Sequence, residues 1–234
     1  MPSESPPRGE ITWIRRWRFE SLRIVLSLVV LVIATALVAD PPADWEISLF
    51  RWANDLPRQA EWVLWPAQQS GMALAVPAGA VALFFIVRHW RPPLTLVAGG
   101  IVFGWAGAKL IKDIVGRGRP SALLADLNLA YDVPTTGIGF PSGHAVVVFT
   151  LATVFSPYVS RWLRWTLYGL GVVVAFSRVY VGAHMPLDVI GGAAFGLIIG
   201  SVVNLVSGIR SDRAQPGALI DGWGDQVAGS AAAS

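Results

Sequence analysis

Six apolar runs divide this chain, at 22–39, 71–87, 94–110, 145–155, 163–176 and 189–206. A membrane-crossing helix needs roughly 20 mostly apolar residues, with about 17 to 25 tolerated. The fourth and fifth runs are the shortest, and we extend them through Pro157 and Ser177. Composition agrees with a bilayer as solvent, because 54% of the 234 residues are hydrophobic and 14% charged, too apolar for an ordinary soluble domain. The expected fold class is therefore all-α, a polytopic membrane protein with six transmembrane helices. The first run is read as a span and not as a signal peptide, being long and lacking a small-residue cleavage site.

Arginines mark every second connection. Arg15, Arg16, Arg18 and Arg23 precede the first run, Arg88 and Arg91 follow the second, Arg161 and Arg164 follow the fourth, and Arg210 and Arg213 follow the sixth. The positive-inside bias then places these connections and both termini in the cytoplasm of a cell (inner or plasma) membrane, and segments 40–70, 111–143 and 177–188 outside. Most of the eleven tryptophans, Trp45, Trp62, Trp90 and Trp162 among them, lie near run ends, where an amphipathic ring favours the headgroup level.

Three parts are expected: a cytoplasmic segment 1–21 with a basic aromatic interfacial helix over 11–20, a six-helix domain over 22–207, and a disordered cytoplasmic tail over 208–234. In segment 40–70, Trp45, Leu49, Trp52 and Leu56 recur at helical spacing, so a short external interfacial helix is expected there. Anchoring and guidance of a lipid substrate are both open roles for it.

Two outer segments break the charge bias. They carry Lys112, Arg117, Arg119 and Arg178, interleaved with two of the three histidines, His144 and His184. Four cations on the disfavoured side point to a strongly anionic ligand held outside the membrane. His89, beside Arg88 on the cytoplasmic side, has no such company and is read as structural.

The residue types around these cations suit phosphoryl transfer. Pro141-Ser142-Gly143 places a good N-cap at a helix start, where free N–H groups and the dipole favour phosphate. Pro186 suits the first turn of the last helix, so His184 stands at its entrance with Asp188 four residues on. A carboxylate there can accept from one imidazole nitrogen and leave the other free to attack, as in a nucleophile–base–orienter set. Lys112, Arg119 and Arg178 can neutralise the phosphoryl oxygens, and His144 is placed to protonate the leaving oxygen and later activate water. No metal and no cofactor are expected: cysteine is absent, and the cations around His144, His184 and Asp188 disfavour a divalent ion.

These segments resemble the type 2 phosphatidic acid phosphatase superfamily, in its membrane lipid-phosphatase branch. Its three signatures, Lys-x6-Arg-Pro, Pro-Ser-Gly-His and Ser-Arg-x5-His-x3-Asp, stand here as Lys112…Arg119-Pro120, Pro141-Ser142-Gly143-His144 and Ser177-Arg178…His184…Asp188. The resemblance covers about 100 to 206. It implies a phosphohistidine on His184, acid and base duty for His144, orientation by Asp188, and phosphate binding by Lys112, Arg119, Ser142, Gly143 and Arg178. Arg117 lies outside the signatures. A second phosphate of a pyrophosphate, or a loop salt bridge to Asp113 or Asp126, are the two roles open to it.

The expected partners are a lipid phosphate substrate and membrane lipids, with no nucleic acid. The substrate stays open among phosphatidate, phosphatidylglycerophosphate and polyprenyl (pyro)phosphates, and so does the oligomeric state. Transfer to a second lipid, or lipid-phosphate binding and transport without catalysis, are the alternatives in kind.

Overall fold

The computed structural model describes residues 13–38, 40–130 and 133–210. The described residues of each apolar run fall mostly on a helix. The first is α1 (Trp17–Leu37), and two amphipathic helices precede the second run: α2 (Asp44–Asn54) and α3 (Glu61–Gln69), joined by a 3₁₀ turn at Arg58–Ala60. α4 (Ala75–Val87) ends on Arg88 in the left-handed conformation, and the chain re-enters helix at α5 (Arg91–Gly99) with proline in its first turn. α5 continues through π-helical turns at Gly100–Gly107 into α6 (Ala108–Val115). Three glycines in those eight residues, Gly100, Gly104 and Gly107, favour such a departure from the regular ladder. After a short α7 (Pro120–Leu123) come α8 (Gly143–Phe155), α9 (Arg161–Tyr180) and α10 (Pro186–Ser207).

Among the described residues, three helices are long and apolar enough to cross a membrane: α1, the continuous Arg91–Val115 and α10. α4 and α8 are apolar but shorter. On α1, Leu22, Val25, Leu26 and Val32 each leave more than half of their surface exposed. In water this would be an aggregation hazard; in lipid, helices with satisfied backbones can present such faces outward.

Inside, α10 lies against α1, α8 and α9. Glycines let it approach α8 closely: a Cβ at Gly192 would stand 2.5 Å from Ser142 O, at Gly196 2.5 Å from Val146 O, and at Gly200 2.5 Å from Thr153 Cβ. Two polar bonds cross the same seam, Thr150 Oγ1 to Gly196 O (3.2 Å) and Asn204 Nδ2 to Thr153 O (3.1 Å). The pairing order makes α8 and α10 parallel. Their N-termini therefore meet, and the Ser142 N–H donates to the Asp188 carbonyl at 2.9 Å.

Near the two ends, Trp13–Ile14 (β1) pairs antiparallel with Ile209–Arg210 (β2), and from Trp17 the chain is in α1. Residues 1–12 and 211–234, on which most of the expected interfacial segment and tail fall, lie outside the described residues.

Candidate active site

The three motif segments converge at the end where α8 and α10 begin. α6 brings Lys112 there in its last turn, and Gly116, at φ +66, caps the helix and turns the chain toward Arg117 and Arg119. α9 delivers Arg178 from its last turn, and the segment 181–185 carries His184 into α10.

His184 and Asp188 are both buried, at 3% and 0% exposure, and His184 Nδ1 lies 3.4 Å from Asp188 Oδ2. That is a charge contact at the far limit of a hydrogen bond, and Nδ1 has no better-aligned partner. The carboxylate itself is firmly held. Its Oδ2 accepts from the Met185 N–H at 2.9 Å, a capping-box bond that ties it to the start of α10, and its Oδ1 lies 3.3 Å from Arg117 Nη1. A Cβ on Gly139 would stand 2.8 Å from Oδ2, so the loop backbone closes over this carboxylate only with glycine there.

Burial, more than any other influence, lowers the His184 pKa to about 4; Asp188 opposes the shift, and Arg119 and Arg178 add to it. At neutral pH the imidazole is uncharged and keeps a lone pair. Nδ1 faces the carboxylate, and Nε2 is the nitrogen left without it.

The cations hold positions around this pair. Lys112 Nζ donates to Ile138 O at 2.9 Å, and Arg119 donates from Nε to Thr136 O and from Nη1 to Ala183 O, each at 3.0 Å. Arg178 Nη1 makes a short bond to Gln68 Oε1 on α3. Ser142 caps α8 with extended backbone, as expected, but its hydroxyl makes no cap bond and is a buried oxygen with no partner. Gly143 and half-buried His144 follow in the first turn, whose N–H groups have no intrahelical acceptor. All eight sequence-predicted site residues thus belong to one end of the bundle.

Three residues had no signal in the sequence. Glu46 on α2 is completely buried and takes Arg117 in a two-pronged ion pair, Nη1 to Oε1 at 3.0 Å and Nη2 to Oε2 at 2.5 Å. The loop salt bridge expected of Arg117 is replaced by another: Asp113 pairs with Lys109 at 2.9 Å, Asp126 is exposed, and the guanidinium of Arg117, 3% exposed, pairs with Glu46 and Asp188. Gln68 holds Arg178, and Asn54 donates to Asn128 O and Tyr180 O at 2.8 Å each, pinning the loop beside α7 to the end of α9.

From this site a cavity of about 820 Å³ runs into the bundle. Lys112, Gly143 and His144 stand at its polar end, and Val76, Val97 and Val147 are among the residues lining its apolar length. A buried neutral imidazole, a ring of cations and an adjoining apolar cavity suit an anionic group on an apolar chain.

Comparison with known proteins agrees. Residues 89–212 match the family model described as the PAP2 superfamily. A protein named "Putative undecaprenyl-diphosphatase YbjG", from Escherichia coli (strain K12), is 48% identical over 156 residues, covering 65% of this chain and 77% of that protein. An undecaprenyl-diphosphatase of Sulfolobus acidocaldarius is 35% identical over 123 residues, 52% of this chain and 57% of that one. Among solved structures, that of Aquifex aeolicus LpxE superposes with a TM-score of 0.60 at 26% identity, over 67% of this chain and 93% of its own. The chain belongs to the PAP2 superfamily. It is a phosphatase, a hydrolase of the membrane branch that acts on lipid phosphates.

Proposed function

We propose that the protein removes a terminal phosphate from a polyprenyl diphosphate or similar lipid phosphate at the outer face of a cell membrane, through a phosphohistidine on His184. The observation that carries this reading is the buried, neutral His184 with Nδ1 turned to Asp188, set among Arg119, Arg178 and the start of α8. In the first step the Nε2 lone pair attacks phosphorus, the bond to the leaving oxygen breaks, and the imidazole that forms carries positive charge opposite Asp188. His144, which takes up a proton when the phosphate anion enters beside it, gives that proton to the leaving oxygen. In the second step His144 takes a proton from water as the water oxygen attacks phosphorus, the N–P bond breaks, and inorganic phosphate departs.

Lys112, Arg119 and Arg178 balance charge on the phosphoryl oxygens, while Ser142 and the opening N–H groups of α8 hydrogen-bond them. The unpartnered Ser142 hydroxyl supports this, since a buried oxygen without a partner is costly until a ligand satisfies it. The cavity receives the tail. A polyprenyl diphosphate is favoured among lipid phosphates by the 48% identity to a protein named for that activity. α1, α4, α5–α6, α8, α9 and α10 form six crossings with both termini cytoplasmic, and α2 lies on the outer leaflet with Trp45, Leu49 and Trp52 exposed.

The test is a panel of polyprenyl diphosphate, polyprenyl monophosphate, phosphatidate and phosphatidylglycerophosphate in detergent with chelator, reading released phosphate and acid-labile protein label. Wild type should release phosphate fastest from the diphosphate and carry label. His184→Ala should carry none and lose several orders of magnitude of activity. His144→Ala should lose roughly 10²- to 10⁴-fold. Binding without release would make it a carrier, phosphate on a second lipid a transferase, and loss of turnover in chelator restored by Mg²⁺ would end the metal-free reading.

A further inference from the structure

Resting on that phosphohistidine reading, we propose that Glu46 and Arg117 are positioning residues, through which the external helix α2 holds the Asp188 carboxylate aimed at His184. Glu46 reaches the site from 71 residues before Arg117 and grips two things at once. It holds both prongs of the guanidinium, and its Oε1 accepts at 3.0 Å from the N–H of Leu187, the residue immediately before Asp188. One carboxylate thereby fixes the arginine beside Asp188 and the first turn of α10 that carries it.

The charge count gives this arrangement a chemical consequence. Arg117 alone beside Asp188 would offset the carboxylate's field at His184. Arg117 is instead bound closer to Glu46, at 3.0 and 2.5 Å, than to Asp188, at 3.3 Å. The two carboxylates and one guanidinium sum to one negative charge. That surplus faces His184, which becomes positive when Nε2 bonds to phosphorus. In a buried site such a match is strong, because little water screens it. Arg117 keeps Asp188 oriented, and Glu46 keeps Arg117 from neutralising it.

The other charged or titratable groups facing the pair are Lys112 in the last turn of α6 and Arg119 after it, both acting on Asp188, together with Arg178 at the end of α9 and His144 at the start of α8, which with Arg119 act on His184. None of them touches Glu46 in the described contacts. Glu46→Gln therefore changes the field at His184 through Arg117 and Asp188 while preserving side-chain shape and acceptor oxygen. Glu46→Gln/Arg117→Gln removes both charges and restores the surplus on Asp188.

Two readouts test the proposal in detergent-solubilised full-length protein. In rapid-quench labelling, Glu46→Gln should slow phosphohistidine formation by roughly 10- to 100-fold, the loss typical when the support behind a functional imidazole is removed in metal sites, with KM little changed. The double variant should recover part of that rate, and Arg117→Lys, which keeps charge without the fork, should fall between. In NMR of histidine-labelled protein, which needs no turnover, Glu46→Gln should move the His184 titration to lower pH and the double variant should return it. A Glu46→Gln protein with wild-type thermal midpoint, labelling rate and His184 titration would overturn the proposal. So would a slow Glu46→Gln whose titration is unmoved and whose rate the second substitution does not restore, since that is the behaviour of a purely structural residue. Absence of label on wild type would defeat the phosphohistidine reading alone, and the NMR titration would still decide for or against the relay.

Discussion

At the scale of single residues, the chemistry rests on an imidazole kept neutral by burial. The His184 pKa lies at about 4 in place of the ordinary 6.5, so between those values the unfolded chain binds a proton that the folded protein does not. The sign follows: the stabilising contribution of neutral His184 is whole above pH 6.5 and is lost as pH falls toward 4. Labelling by a substrate whose leaving group needs no proton should accordingly stay level through pH 6.5 and decline only near pH 4. A decline centred at 6.5 would show His184 solvated and would remove the basis for its neutrality. The residue types for this site were legible in the sequence because signature spacing is local: four residues separate His184 from Asp188, one helical turn apart. Glu46 was not legible, since an acidic residue in an acidic outer segment reads as solvated until the fold buries it against Arg117.

At the scale of elements, the seam between α8 and α10 decides whether the two histidines meet. Gly196 faces backbone there, with a Cβ 2.5 Å from Val146 O, whereas a Cβ on Gly169 in α9 meets nothing within 4 Å. Gly196→Ala should therefore lower the thermal midpoint in detergent and cut phosphate release, since overpacking of this kind costs about 1–3 kcal/mol. Gly169→Ala should hold or raise the midpoint, because alanine gains about 0.8–1 kcal/mol over glycine in a helix interior. Equal effects at the two positions would refute the close α8–α10 approach. Helix existence was readable from apolar run length, yet the boundaries moved: α4 starts four residues after its run begins, and Arg91–Val115 extends past its run at both ends, into Arg91-Pro92-Pro93 and through Lys112. Residues 13–14 became a strand because their partner, 209–210, lies at the far end of the sequence.

At the scale of the whole molecule, orientation is the prediction to check. A reporter fused after Arg213 should be cytoplasmic and one inserted near Ala130 external; the opposite labelling would put the site on the wrong face. This expectation comes from the alternation of arginine-marked connections, a property of sequence and bilayer that needs no tertiary contact. By itself the sequence determined the solvent, the helical class, the three motif segments and the end of the bundle where they gather, because apolar run length, charge bias and motif spacing act over one turn or one span. Only the tertiary structure decided which buried charges face one another: Arg117 with Glu46 across 71 residues, Arg178 with Gln68 across 110, and the cavity beside His144. The physical reason is that a charge's partner inside a protein is set by which carboxylate or amide shares its desolvated space, and that space exists only once the helices have packed.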